Sequence, residues 1–243
     1  MKLIKLNATL STNDYLKALV KTGVDCTGTV VIAHDQTQGR GQHGNHWYSK
    51  AGESLTFSLY RRFEQHPEVF PFMPQMVVAL AIKKQLDALQ IPAVSIKWPN
   101  DIMSYQKKIG GILIENIWSG GKPVHRVIGF GLNVNNDLPE ELPRANSLKQ
   151  ITGKVYDLEE LAMRIAGQIY TYFDDFRVVD QLQWYEQYLN ALFKGGQAAS
   201  FRIANGAPFT ALVKGVTPEG DLELLLEDDS VHLYAVKAIE MIY

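Results

Sequence analysis

The helical rhythm of the chain stops at Gly195-Gly196, and that break limits what it can fold into. Before it, apolar residues recur at helical spacing. Leu158, Leu161, Ile165, Ile169, Phe173 and Phe176 mark one long amphipathic helix, opened by an Asp157/Glu160 capping box. Leu182, Tyr185, Leu189 and Leu192 mark another. After the break the period is two. Leu222, Leu224 and Leu226 alternate with Asp221, Glu223, Leu225 and Glu227, and turn signals stand at Asn205-Gly206 and Pro218-Glu219-Gly220. Residues 196–243 therefore read as a small all-β unit, most easily closed as a barrel and packed on a larger domain spanning 1–195.

The larger domain mixes both periods. Ser11-Thr12-Asn13-Asp14 reads as a helix start, with Ser11 and Asp14 at capping-box spacing, and the helix ends near Gly23. Residues 29–34 and 53–60 read as strands. Phe72, Met76, Val77, Leu80 and Ala81 predict a helix running to about Gln90. Strands follow at 94–98, 109–118 and 126–134, then a Pro- and Asn-rich loop over 135–146. Lys97-Trp98-Pro99-Asn100-Asp101 ends one strand and Lys107-Lys108-Ile109-Gly110-Gly111 begins the next, so the two read as a hairpin with Asp101 and Lys108 near one end of the sheet. Strands joined by short turns make this α+β, a mixed sheet with flanking helices, and not alternating βαβ.

Gly39-x-Gly41-x-x-Gly44 matches the letters of a dinucleotide-binding turn. That turn must leave a strand directly and open a helix whose N-terminus meets a pyrophosphate. Here four residues, 35–38, separate strand from glycines, and 45–52 carry no helical apolar stripe. Glu64 stands where the ribose-binding acid would be, with no room before it for both a helix and a strand. The dinucleotide reading is rejected. The glycines instead let backbone N–H groups converge on an anion or polar ligand, and Arg40 adds a fork suited to phosphate or carboxylate. Gly110-Gly111 inside a strand predicts that something packs closely on its backbone.

Composition narrows the setting. The single cysteine, Cys26, cannot form an intramolecular disulfide and fits a reducing compartment. A net charge of -2 gives no bulk attraction to nucleic acid, and no apolar run approaches the ~20 residues of a membrane span. The start of the chain has no long apolar signal region, so a cytoplasmic protein is expected. His43 and His46 are three apart, but a third ligand is not evident and zinc is not expected.

Taken together, "STN", "QTQGRGQHGNHW", "KWPND", "KKIGGILIE" and "GFGLNVN", in that order, resemble the biotin–protein ligases, in the short form without a DNA-binding module. The likeness is strong over about residues 9 to 136. It implies the class II synthetase-like fold of biotin–lipoate ligase catalytic domains, with a C-terminal SH3-like β-barrel. It also implies a two-step reaction. The biotin carboxylate attacks the α-phosphate of ATP, pyrophosphate leaves, and biotinyl-AMP remains. A lysine of a biotin carboxyl carrier domain then attacks that mixed anhydride and releases AMP. ATP, Mg²⁺ and biotin are the small molecules implied. The partner implied is the carrier of a biotin-dependent carboxylase such as acetyl-CoA carboxylase. A monomer and a homodimer both fit.

By the same resemblance Ser11, Thr12, Asn13, Gln36, Arg40, Gly41, Gln42, Lys108 and Gly111 would bind biotin, whose buried ureido head needs a partner for each polar atom. Plain capping explains Ser11 and Thr12 about as well. Gly39, Arg40, Trp47, Lys97, Asn100, Lys108 and Asn133 would bind ATP or the adenylate, Trp47 by packing and Asn133 at the adenine. Lys108, Arg40 and Asp101 would carry the chemistry. Asn100 and Asp101 would stand near Mg²⁺ or steer the acceptor amine, with no dedicated metal cage. Many members have Arg where this chain has Gln42, so the adenylate is either held less firmly or held by another cation. The segment around Arg144 to Leu148 lacks the aromatic that some members place over adenine. Only ten residues precede Ser11, too few for a helix-turn-helix, so operator binding is not expected. Two alternatives compete. One is a lipoate or octanoyl ligase or transferase of the related fold, which would need a longer apolar slot. The other is a non-catalytic biotin or nucleotide sensor.

Overall fold

The computed structural model describes residues 1–62, 70–176, 180–204 and 206–243, with the backbone alone at 43, 119 and 122–124. Glu64, Asn205 and the His43 side chain, which enter the sequence argument, lie outside the described residues.

The larger unit is a seven-stranded sheet in the order β1-β2-β3-β7-β6-β5-β4, built from β1 (Lys2–Thr9), β2 (Thr29–Gln36), β3 (Ser54–Arg62), β4 (Val94–Lys97), β5 (Asp101–Ser104), β6 (Lys107–Ser119) and β7 (Lys122–Asn133). Only β1 and β2 pair in parallel, joined through helix α1 (Thr12–Lys21); every other pair is antiparallel. Two strands depart from the sequence reading. β1 was not expected, because its residues alternate without deep burial at an edge of the sheet. The hairpin expected between Lys97 and Lys107 is two hairpins. β5 lies between, folding onto β4 through Trp98–Asn100 and onto β6 through Tyr105 and Gln106.

Strand alternation sorts the side chains to two faces. Val30, Ile32, Leu55, Phe57, Leu59 and Ile128 point into the main core, where α2 (Met73–Ala88), α4 (Leu158–Asp175) and α5 (Gln181–Asn190) pack. Their neighbours Val31, Tyr60 and Val127 point the other way, onto Leu16 of α1. Helix α2 is buried nearly all round, Met73 to Ile82 without a break, because sheet, α4 and α5 enclose it. Helix α4 starts where its capping box predicted, with Glu160 N donating to Asp157 Oδ1 at 2.9 Å. A short α3 (Leu148–Thr152), capped by Ser147, ends the loop after β7.

The tail forms a five-stranded antiparallel sheet, β11-β10-β9-β8-β12, from β8 (Ala198–Ile203), β9 (Phe209–Val216), β10 (Leu222–Leu225), β11 (Val231–Tyr234) and β12 (Ile239–Ile242), as the SH3-like expectation requires. Its apolar face, with Phe201, Val213, Val216, Leu222 and Leu224, is continuous with the main core. Trp98 fastens the two units, its Nε1 donating to Gly220 O at 2.8 Å, while Phe72 N donates to Pro218 O at 3.2 Å. Among the described residues no helix is long and apolar enough to cross a membrane.

Candidate active site

A cavity of about 170 Å³ opens where the start of α1, the glycine loop, the Lys97–Asp101 turn and the middle of β6 and β7 converge. Its walls include Ser11, Thr12, Asn13, Gln36, Arg40, Gly41, Gln42, Trp47, Asn100, Asp101, Lys108 and Gly111. Of the residues expected to bind or react, Gly39, Lys97 and Asn133 stay behind that lining.

One end is a buried polar network. Ser11, Thr12 and Asn13 are each almost fully buried, which plain capping of a surface helix does not require. Ser11 does cap α1, but loosely, accepting from Asp14 N at 3.5 Å. Thr12 donates to Gln36 Oε1 from its N–H at 3.0 Å and from Oγ1 at 3.2 Å. Ser58 Oγ sits 2.7 Å from Thr12 Oγ1 and 2.5 Å from Asn13 Oδ1. Asn13 Nδ2 donates to Glu115 Oε2 at 2.8 Å and Leu113 O at 3.2 Å. Asn13 lies directly on Gly129, where any Cβ would run into its amide. Ser58 was missed in the sequence. Its inward-facing place in β3, opposite Gly129 of β7, was the available signal.

Arg40 does not present a free guanidinium to the cavity. Its Nη2 is held by Asp14 Oδ1 at 2.6 Å and Glu115 Oε2 at 3.2 Å, beside Lys17, which bonds Glu115 Oε1 at 2.9 Å. Asp14 and Glu115, shared with Lys17, thus hold the Arg40 guanidinium at the rim of the cavity that it lines. The glycine loop curls back on itself. Trp47 N donates to Gly39 O at 2.9 Å and Gly41 N to Asn45 O at 2.7 Å, and no helix follows Gly44. That geometry agrees with rejecting a dinucleotide turn.

Trp47 is the other wall. Its indole lies on Gly131 and against Gly111: an added Cβ at 131 would run into Cε2 and Nε1 of the ring, and one at 111 would sit 3.4 Å from Cζ3. Gly110 meets Phe130 in the same way, so the expected close packing on the double glycine is real, with a different partner for each residue. Trp47 Nε1 is buried with no hydrogen-bond partner among the described residues.

Between these ends stands the charged group. Lys108 Nζ and Asp101 Oδ1 are 2.6 Å apart, and Lys97 Nζ lies 3.8 Å from Asp101 Oδ2. Lys108 also sits over the Trp47 ring, 5.6 Å from its centroid. Burial pushes the Lys97 ammonium below its ordinary value, against the upward pull of Asp101. Asn100 fixes the turn by exchanging bonds with β6: Ile112 N donates to Asn100 O at 3.0 Å, and Asn100 Nδ2 donates to Ile112 O at 2.8 Å. Asn133 is used structurally. It donates to Asn146 O at 3.2 Å and accepts from Asn136 Nδ2 at 3.4 Å.

A protein-family comparison matches residues 6–133 to the Biotin/lipoate A/B protein ligase family. The bifunctional ligase/repressor BirA of Salmonella typhimurium is 36% identical over 124 residues, 51% of this chain but only 38% of that protein. The biotin–[acetyl-CoA-carboxylase] ligase of Mycobacterium tuberculosis is 33% identical over 163 residues, 65% of this chain and 59% of that protein. Among solved structures, the biotin protein ligase from Aquifex aeolicus in complex with biotin and ATP superposes with a TM-score of 0.82 at 26% identity, covering 99% of this chain and 98% of that one.

Proposed function

This chain belongs to the biotin/lipoate A/B protein ligase family, and from that premise we propose that it joins biotin to a carrier-protein lysine in two steps through biotinyl-AMP. The observation that carries the reading is the pairing, in one cavity, of a buried polar network with a Lys108–Asp101 ion pair. The network of Thr12, Asn13, Gln36 and Ser58 suits a ureido head, which has donors and acceptors to satisfy. A linear acyl chain offers nothing to such an end, so a lipoate or octanoyl substrate is disfavoured.

In the first step Lys108 would stand by the carboxylate and α-phosphate as their charge is redistributed and pyrophosphate departs. Gly39, Arg40 and Gly41 would fix the loop around the mixed anhydride, Trp47 would cover it against water, and Gln42 and Gly111 would line its acyl side. Lys97 and Asn133 act from behind the cavity wall, the first through charge and the second by shaping the loop that passes Lys108. Mg²⁺ would arrive with the nucleotide. The described residues contain no cluster of three metal-binding side chains, while Asp101 and the free oxygen of Asn100 are hard donors that suit it. In the second step Asp101 would steer the incoming amine. The partner proposed is the biotin carrier of a carboxylase, and we place the boundary between catalytic and C-terminal units at 195/196.

The test is mass spectrometry of a biotin carrier domain incubated with the protein, biotin and MgATP. One added biotinyl group on a lysine is expected. Exchange of label between ATP and pyrophosphate stimulated by lipoate and not by biotin would defeat the reading.

A further inference from the structure

Tyr243, directly after β12, is not used by the chemistry above, yet it reaches out of the C-terminal sheet into the charged end of the site. Lys97 Nζ lies 5.1 Å from its ring centroid and Arg144 Cζ 5.3 Å from it. Phe193 meets the same ring edge-on at 5.5 Å. Phe193 is itself fastened to the strand that carries Lys97, since Phe193 N donates to Ile96 O and Ile96 N to Ala191 O, both at 2.8 Å. On the other side, Arg144 O accepts from Lys108 N at 2.8 Å, and Asn146 N donates to Lys108 O at 2.9 Å. One ring therefore touches two cations whose backbones are tied to opposite flanks of the Asp101–Lys108 pair.

Lys97, Lys108 and Arg144 gather around the single carboxylate of Asp101, with Glu240 of the C-terminal sheet the further acid acting on Lys97 and Tyr243. Lys97 and Arg144 repel one another. The negative face of an aromatic ring attracts both, without a full negative charge that would cancel them toward a ligand. Such an arrangement keeps the Lys97 and Arg144 cations together at the cavity's edge, where they suit a polyphosphate. It leaves the buried network at the other end untouched.

We infer that Tyr243 is a positioning residue for nucleotide binding, holding Lys97 and Arg144 in place so that the C-terminal sheet takes part in the ATP step and not in biotin recognition. The inference rests on the ligase reading for the identity of the nucleotide. The family resemblance implies that the C-terminal unit supports ATP and carrier engagement; Tyr243 is the residue through which it would reach the nucleotide end of the site.

The test replaces Tyr243 by Phe, by a series of progressively fluorinated phenylalanines, and by Leu. Fluorination drains the ring's negative face while keeping its shape, so folding is not at stake. Two measurements are made: biotin-dependent ATP–pyrophosphate exchange and direct calorimetric titration with ATP. Tyr243→Phe should keep the wild-type KM for ATP. The fluorinated series should raise it stepwise, and Tyr243→Leu by about tenfold. Biotin affinity measured without nucleotide should stay constant throughout. A flat KM and Kd for ATP across the series would overturn the inference, as would parallel loss of biotin affinity. If wild type binds ATP but shows no exchange with biotin, the ligase reading fails while graded ATP titrations still uphold the role of Tyr243.

Discussion

The tightest contact in the cavity wall makes the sharpest test. Gly131 lies under Trp47, and a Cβ at that position would stand 2.6 Å from Nε1 and 2.7 Å from Cζ2 of the indole. Comfortable contact needs about 3.5–4.0 Å, so Gly131→Ala forces a displacement of roughly 1 Å. The Trp47 backbone cannot supply it, because its N–H is bound to Gly39 O at 2.9 Å. The neighbouring Gly111 leaves only 3.4 Å on that side. Overpacking of this kind costs about 1–3 kcal/mol where the core must absorb it. Trp47 is half-buried on a loop, so the indole should swing out instead, and the stability loss should fall near ~1 kcal/mol, or ~2–4 °C in Tm for a chain of this size. Activity should suffer far more than stability, because the displaced ring is the proposed cover of the anhydride and the neighbour of Lys108. The assay is a double-mutant cycle of Gly131→Ala with Trp47→Ala, read by thermal unfolding and by biotin-dependent exchange. In the Trp47→Ala background the alanine at 131 should be nearly silent, giving a coupling of about 1 kcal/mol or more. Additive effects would refute the reasoning.

Three further outcomes are expected. Lys108→Met, at a partly exposed side chain, should leave the fold intact but lower biotin-dependent exchange about 10²–10³-fold; a folded variant with undiminished exchange and carrier labelling would remove Lys108 from the chemistry. Gln42→Arg should lengthen the dwell time of biotinyl-AMP on the protein, since Arg40 at the adjacent rim is already engaged by Asp14 and Glu115; equal dwell times would remove any role for position 42. Burial pushes the phenols of Tyr170 and Tyr188 well above the ordinary 10.0, so the folded chain keeps protons that the unfolded chain releases. Stability from these groups is complete below about pH 10 and falls as pH rises beyond it, while the lowered Lys97 works in the opposite sense below 10.5. Urea unfolding at rising alkaline pH should therefore show a decline that Tyr170→Phe flattens and Lys97→Met steepens.

Much of the fold could be read from periodicity, because burial on one face enforces it. Alternation in β3 and β7 and the capping residue of α4 act locally, and the structure agrees with them. What could not be read depends on partners far away in sequence. β1 owes its existence to pairing with β2, from Lys2 opposite Thr29 to Thr9 opposite Gln36, and its own residues carry no buried face to announce it. β5 is four residues long and follows directly from a turn, too short for a period to show. The double glycine announced a close approach, but which side chain approached was a matter of topology: Phe130 for one residue, Trp47 for the next.

The site divides in the same way, and the division has a physical cause. Residues proposed to meet a ligand through their own chemistry, such as Thr12, Gln36, Asp101 and Lys108, stand out as residue types in motifs, and the fold brings them to one cavity. Residues that act by holding another group do not stand out, because any side chain of suitable shape or charge would serve. Ser58 joins two hydrogen-bonding residues of α1, and Glu115 gathers Asn13, Lys17 and Arg40. Tyr243 joins two cations that lie 47 residues apart in the chain. This second set fixes where the first set's charges point. Arg40 illustrates the consequence: its sequence context proposes a cation for an anionic ligand, and Asp14 and Glu115 set where at the cavity rim that cation is held. On the proposed reading an anion entering this cavity therefore goes to the end where Lys108 lines the wall with Lys97 and Arg144 behind it, and the polar head of the acid is left to the hydrogen-bonding network around Thr12.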